Sequence, residues 1–348
     1  MSAPRNETNS PAGRRRGLRW RGLIQAAVGL GALALVILKT DLHAMAEAFR
    51  ATRISYLPLA LAATLATNWL MAYRWGVILR VRGHEIKTAR LFAYYLIGVF
   101  FSNFVPGGTV TGDVARLIYA SRDVKDKPFV LSTLIYERLT GMMVLLMIGL
   151  TATLTSRIYR PDGNLFYMAE AALALAFLAS AILMSRRASS RLARACREFG
   201  SKLKMARAGD AASRTLEAIA SLRQYKRMFF ATVLLSVMIR VTWSLGCYAV
   251  ARAMDLPLSL PVIFAFISLV DLIRMLPISV GGLGVREWTM IVLFANVGIA
   301  REQALLYSLL AFAPIILTAI AGGIVYISQA SVLRVEERAD VSIVGERS

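Results

Sequence analysis

Charge is scarce in this 348-residue chain: Asp, Glu, Lys and Arg make up 18% of it, against 57% hydrophobic residues. Soluble domains average about 25% charged residues and disordered chains are poor in apolar ones, so the composition argues against both. Histidine and cysteine are scarcer still. His43 and His84 stand apart, and Cys196 and Cys247 form no CxxC pair, so neither a zinc or redox centre nor a disulfide framework is expected. A Walker A glycine-lysine pattern is missing too, and no nucleotide, metal or other cofactor is expected.

What the chain has is apolar length. Stretches of mostly apolar residues recur at about 22 to 38, 56 to 79, 91 to 105, 129 to 154, 165 to 184, 229 to 250, 260 to 276, 286 to 298 and 304 to 328. Many approach or exceed the ~20 residues that cross a ~30 Å hydrocarbon core, so an all-α polytopic membrane protein is predicted. Basic residues outnumber acidic ones, 41 to 21, and the net charge is +20. Most lie in loops flanking the apolar stretches, which assigns the charge to membrane topology rather than to nucleic acid. The linker from Arg186 to Arg227 holds twelve Lys and Arg, and residues 1 to 21 hold six Arg. Both are expected on the cytoplasmic side, as are both termini. Ala44-Met45-Ala46 resembles a signal-peptidase site, and a cleaved signal is the competing reading of the N-terminus.

Parity constrains the shorter stretches. Arg80 to Arg90 and Arg116 to Lys127 are both basic and read as inside, so the segment between them must begin and end on one side. A re-entrant hairpin turning at Pro106-Gly107-Gly108 satisfies this, and a second one turns at Pro277 and Gly281-Gly282. The prediction is six full spans and two re-entrant broken-helix elements in two inverted repeats, about 56 to 154 and 229 to 328. Eight ordinary transmembrane helices are the alternative. One membrane domain thus covers 22 to 328, between a basic N-terminus (1 to 21) and a tail (329 to 348). In the linker, Leu192, Cys196, Phe199 and Leu203, then Leu216, Ile219 and Leu222, repeat at helical spacing, as in two amphipathic helices on the inner leaflet.

Ten ionisable residues fall within the predicted spans: Arg74, Arg138, Arg240, Arg274, Arg286, Asp113, Glu137, Glu170, Asp271 and Glu287. At ~2.5 to 3.5 kcal/mol each they would cost on the order of 30 kcal/mol if left unpaired in lipid. They must pair or line a polar cavity. Asp113 with Arg116 and Asp271 with Arg274 are three apart on a helix face, and Arg286 with Glu287 follows the second glycine cluster. Half-helices starting beyond Gly108 and Gly282 would aim backbone N–H groups at an anion. Candidate substrate-binding residues are therefore Arg74, Gly107, Gly108, Asp113, Arg116, Glu137, Arg138, Asp271, Arg274, Gly281, Gly282, Arg286 and Glu287. Arg240 is the counterpart cation in the second repeat. Glu137 is expected to hold Arg138 or a neighbouring arginine, Asn103 and Thr109, at the first turn, to cap backbone groups rather than touch ligand, and Glu170 to be interfacial.

The motifs Ser102-Asn103-Phe104-Val105-Pro106-Gly107-Gly108, Gly112-Asp113-Val114-Ala115-Arg116, Glu137-Arg138-Leu139 and Pro277-Ile278-Ser279-Val280-Gly281-Gly282-Leu283-Gly284-Val285-Arg286-Glu287 resemble the flippase-like transmembrane region of lysylphosphatidylglycerol synthases. The resemblance covers about residues 20 to 330. It implies a bacterial or archaeal inner-membrane protein that translocates a lipid, with a membrane phospholipid or polyprenyl-linked lipid as ligand and a glycosyltransferase or lipid-synthesis partner. The chain ends soon after Gln329, so the fused synthase domain of some members is not expected here, nor is enzymatic activity. Two other readings are a scaffold for a glycosyltransferase and an intramembrane enzyme on polyprenyl phosphate, with Glu137 or Asp113 as base.

Overall fold

A computed structural model of the protein describes residues 40–155, 224–274 and 280–345, with a few positions between 27 and 38 and between 171 and 222. The predicted span 165 to 184, most of 22 to 38, Glu170, Pro277 and nearly all of the basic linker with its two amphipathic stretches lie outside the described residues. Every described element is helical: α1 (Leu42–Arg50), α2 (Leu57–Leu79), α3 (Thr88–Phe104), α4 (Thr109–Asp123), α5 (Lys127–Thr155), α6 (Lys226–Ala253), α7 (Leu260–Arg274), α8 (Val285–Ala295) and α9 (Arg301–Gly345). Among the described residues four helical stretches are long and apolar enough to cross a membrane, 54–82, 127–152, 226–253 and 301–329. They coincide with four of the predicted spans.

Local sequence explains the boundaries. Pro58, Pro128 and Pro261 occupy the first turns of α2, α5 and α7, where a missing N–H costs nothing. Asp41 caps α1 by accepting from the His43 and Ala44 amides, and the Asp126 carboxylate accepts from the Phe129 amide at the head of α5. Between α3 and α4 the chain reverses at Pro106-Gly107-Gly108, with φ of +110° at Gly107 and +56° at Gly108. Only glycine adopts such a sequence of angles cheaply. The two limbs then lie very close. A Cβ on Gly112 would strike the Gly98 carbonyl and the Ser102 hydroxyl, the small-residue contact that lets helices approach in lipid. A shorter counterpart, α7 and α8, reverses through Val280–Gly282.

Helices α2–α5 and α6–α9 form two equivalent sets. α3 packs on α9 as α7 packs on α5, α2 on α9 as α6 on α5, and α4 on α5 as α8 on α9. The exchange of sets leaves the packing pattern unchanged, as a duplicated unit requires. The extensive α2–α6 contact fixes the relative orientation. Ala63 meets Gly246, Arg74 meets Ser236, and the Arg53 amide donates to the Ala253 carbonyl. Numbers rise on one helix as they fall on the other, so α2 and α6 are antiparallel and the axis relating the sets crosses them. The repeats are inverted, as predicted.

Two aromatic-rich cores follow this division. Trp75, Phe129 and Tyr136 lie in the first, and Phe266, Phe294 and Tyr307 in the second. A small third cluster, Leu145 and Leu146 against Leu269 and Leu272, joins α5 to α7 across the boundary. The α2 extension stops at Gly83, φ +79°, whose amide donates to the Arg80 carbonyl, the left-handed residue that ends many helices.

Candidate functional site

A cavity of about 380 Å³ opens where the two sets meet. Its walls come from α2 (Asn68, Met71, Arg74), α3 (Tyr95), α4 (Asp113, Arg116), α5 (Glu137, Arg138), α6 (Ser236, Arg240, Trp243), α7 (Asp271, Arg274) and both hairpin turns (Gly107, Gly108, Gly281, Gly282). Eleven of the thirteen candidate residues thus line one space, with Arg240. Arg286 and Glu287 are not on its walls.

The second turn approaches the end of α3, and its own α7, because it is built of glycine. A Cβ on Gly281 would sit 3.3 Å from the Asn103 carbonyl, and one on Gly282 3.0 Å from the Arg274 Cγ. Bulkier residues there would push the hairpin tips apart.

The floor is a sealed ion network. Glu137, 3% exposed, accepts from Arg74 Nη2 at 2.8 Å and from Arg116 Nη2 at 2.6 Å, while the Tyr95 hydroxyl donates to Oε1. Arg74 also donates to Ser236 Oγ at 2.6 Å, tying α2 to α6. The Arg116 guanidinium lies 3.7 Å from the Tyr95 ring centroid and 4.4 Å from that of Trp75, a cation–π arrangement that offsets part of its desolvation. The sequence expectation that Glu137 holds a neighbouring arginine is met by Arg74 and Arg116, not by Arg138.

Above the floor stand two similar triads. In the first, Asp113 accepts from Arg138 Nε and from Arg116 Nη1 at 3.4 Å, and Arg138 Nη2 also donates to the Thr109 carbonyl at 3.2 Å. In the second, Asp271 accepts from Arg240 Nη1 at 2.5 Å and lies 3.5 Å from Arg274 Nη1. Both predicted i,i+3 pairs are present, and each aspartate gains a second arginine from a neighbouring long helix. These groups are wetter than the floor, with the Arg138 side chain 40% exposed and that of Arg274 22%. Five arginines against three carboxylates leave the walls with an excess of two positive charges.

One expectation is corrected. Arg286 and Glu287 form a buried pair of their own: the guanidinium donates to Glu287 and to Ser308 Oγ at 3.1 Å, and stacks 3.7 Å from the Phe312 centroid. Glu287 Oε2 accepts from the Gly284 amide at 2.7 Å, so the N-terminus of α8 carries its own carboxylate in the place proposed for an external anion. Asn103 does bond a backbone group: its side-chain amide donates to the Val99 carbonyl of its own helix at 2.8 Å. Tyr95, Trp75, Ser236 and Phe312 escaped the sequence reading because aromatic and hydroxyl residues carry no pairing signal until tertiary contacts are known.

Comparison with known proteins gives one match. The family model described as the lysylphosphatidylglycerol synthase TM region aligns with residues 22–323. No curated protein and no solved structure matches the chain.

Proposed function

Given that the chain belongs to the lysylphosphatidylglycerol synthase transmembrane-region family, a membrane family tied to lipid, we propose that it moves an anionic lipid between leaflets, with the headgroup passing through the cavity and no bond made or broken. One observation carries this reading: a cavity of about 380 Å³ inside a membrane bundle bears two uncompensated positive charges. In a low-dielectric setting such an excess is costly unless an anion or water neutralises it. A lipid phosphate brings that charge, and arginine binds it with two parallel hydrogen bonds. The acyl chains stay in the bilayer while the headgroup exchanges partners with Asp113 and Asp271.

In the same proposal the protein resides in a cytoplasmic membrane, and α3–α4 and α7–α8 are re-entrant. Support comes from the basic end of the bundle, where Arg82 pairs with Asp126 and Arg90 with Asp123 and Arg80, Lys87, Arg122, Lys125 and Lys127 cluster in sequence around them. By the positive-inside rule that end faces the cytoplasm.

The test is leaflet exchange in proteoliposomes, using fluorescent phosphatidylglycerol and fluorescent phosphatidylcholine with an outer-leaflet quencher. Wild type should move the anionic probe faster, and Arg138→Gln, at a half-exposed position, should slow it while thermal unfolding stays unchanged. Equal movement of both probes, or full activity of Arg138→Gln, would reject the reading.

A further inference from the structure

We propose that the headgroup this cavity accepts carries two phosphate groups, one held by each arginine-aspartate triad. The inference rests on the anionic-lipid reading above and goes further by fixing the number of anionic groups.

Three independent features lead to it. The first is recurrence of one binding arrangement in each half, on helices that the repeat does not equate: α4 and α5 in the first, α7 and α6 in the second. Asp113 with Arg116 and Arg138, and Asp271 with Arg240 and Arg274, are each one carboxylate shared by two guanidiniums, and both line the same cavity. The second is charge. In the first half Asp113 and Glu137 face Arg74, Arg116 and Arg138, and in the second Asp271 faces Arg240 and Arg274, so the excess of two is divided equally between the two halves of the fold. A headgroup with a single phosphate would neutralise one triad and, by displacing water, leave the other cation unsolvated.

The third is unused donor capacity. Arg116 Nε in one triad and Arg274 Nε in the other are buried without a hydrogen-bond partner, as is Arg74 Nε in the floor beneath them. A buried donor without a partner costs free energy that a ligand acceptor recovers. That each triad keeps one such atom, on the arginine three residues after its aspartate, points to one acceptor per triad rather than one for the whole cavity. The aspartates then act as place-holders that hold the guanidinium planes apart until phosphate replaces them.

The chemistry common to both possible sources is a pair of phosphates within one headgroup, either two phosphodiesters joined by glycerol or a diphosphate. Native mass spectrometry of the full chain in detergent separates them. The probes are cardiolipin, geranylgeranyl diphosphate, phosphatidylglycerol and phosphatidylethanolamine, added singly and in pairwise competition. The expected result is that one of the two-phosphate lipids is retained about tenfold or more over phosphatidylglycerol, the gain from a second charge-assisted contact. Whichever is retained identifies the source. Arg138→Gln and Arg240→Gln should each abolish that preference while phosphatidylglycerol binding changes by only about twofold, and Arg240→Lys, which keeps the charge, should restore part of it.

Equal retention of phosphatidylglycerol and both two-phosphate lipids, sensitive to Arg138→Gln but not to Arg240→Gln, would overturn the second phosphate while leaving the anionic-lipid reading intact. Retention of phosphatidylethanolamine as strongly as the others would overturn both. A thermal unfolding scan of each variant identifies any that misfolds, in which case Arg138→Lys and Arg240→Lys replace it in the same comparison.

Discussion

Replacing Glu137 by Gln keeps the shape of the side chain and removes the charge on which the cavity floor depends. Two guanidiniums share this carboxylate, at 2.8 Å from Arg74 and 2.6 Å from Arg116, and all three side chains are less than a tenth exposed. A glutamine amide has one acceptor oxygen and one donor nitrogen, so it must turn N–H groups toward one arginine. Breaking a buried ion pair from one side costs about 3 to 5 kcal/mol. Arg116 keeps Asp113 and its two aromatic platforms, worth about 0.5 to 2 kcal/mol, so the lower part of the range applies to it. Arg74 keeps only Ser236 Oγ among its charged or hydroxyl partners. Because one substitution removes a single charge that the two cations share, the range applies once to the whole cluster, and about 4 kcal/mol is expected. Reversible unfolding in mixed micelles measures it, with Arg138→Gln as the wetter control, expected at about 1 kcal/mol or less. A loss below about 1 kcal/mol for Glu137→Gln would refute the view that this carboxylate holds two buried cations.

Other outcomes follow from local geometry. Gly112→Ala places a methyl group against the Gly98 carbonyl and should lower stability by about 2 kcal/mol or more, whereas Gly83→Ala, with open space around it and φ +79°, should cost only about 1 to 2 kcal/mol of backbone strain; the same unfolding assay ranks them. Trp75→Ala empties a fully buried site and loses the 3.0 Å bond to Thr133 Oγ1, an expected cost of about 3 to 5 kcal/mol. Cys247, 2% exposed, should resist maleimide in the folded Cys196→Ser protein and react once SDS unfolds it; fast labelling without denaturant would contradict its burial. Single cysteines at Lys125 and Asp255, each near a different end of α2, should label from opposite faces of sealed vesicles. A 23-residue helix is about 34 Å long, enough to separate them.

Features that depend on near neighbours in the sequence were legible there. Pro106-Gly107-Gly108 announces a reversal because proline and glycine act on their own backbone. Asp113 with Arg116 and Asp271 with Arg274 follow from helical spacing alone. The repeat was legible from its punctuation, and α2, α3, α5, α6, α7 and α8 begin and end within a few residues of the expected stretches, whereas α1 was not expected and α9 runs on past 328 to Gly345. What the sequence hid lies across the fold. Glu137 and Arg74 are 63 residues apart and Arg74 and Ser236 are 162; no spacing rule links them. Arg286 and Glu287 misled because a charged pair beside a helix start looks the same whether it awaits a ligand or caps its own helix. The deciding atom, the Gly284 amide, carries no signature in the sequence.

The antiparallel contact between α2 and α6 has an evolutionary consequence. Two halves of one chain with the same packing and opposite direction derive most simply from a single unit that inserted both ways and paired with itself, isologously, along this helix. Such an ancestor had to be nearly neutral in its loop charge. Here the loops at the hairpin base of the first half are crowded with Arg80, Arg82, Lys87, Arg90, Arg122, Lys125 and Lys127, while the matching loops of the second half hold Arg252 and Arg301. Fusion removed the need for ambivalence, and each half was free to acquire the charge that fixes its own orientation. The buried carboxylates differ as well: Glu137 on α5 stands at the cavity, whereas Glu287, on the non-equivalent α8, caps its own helix.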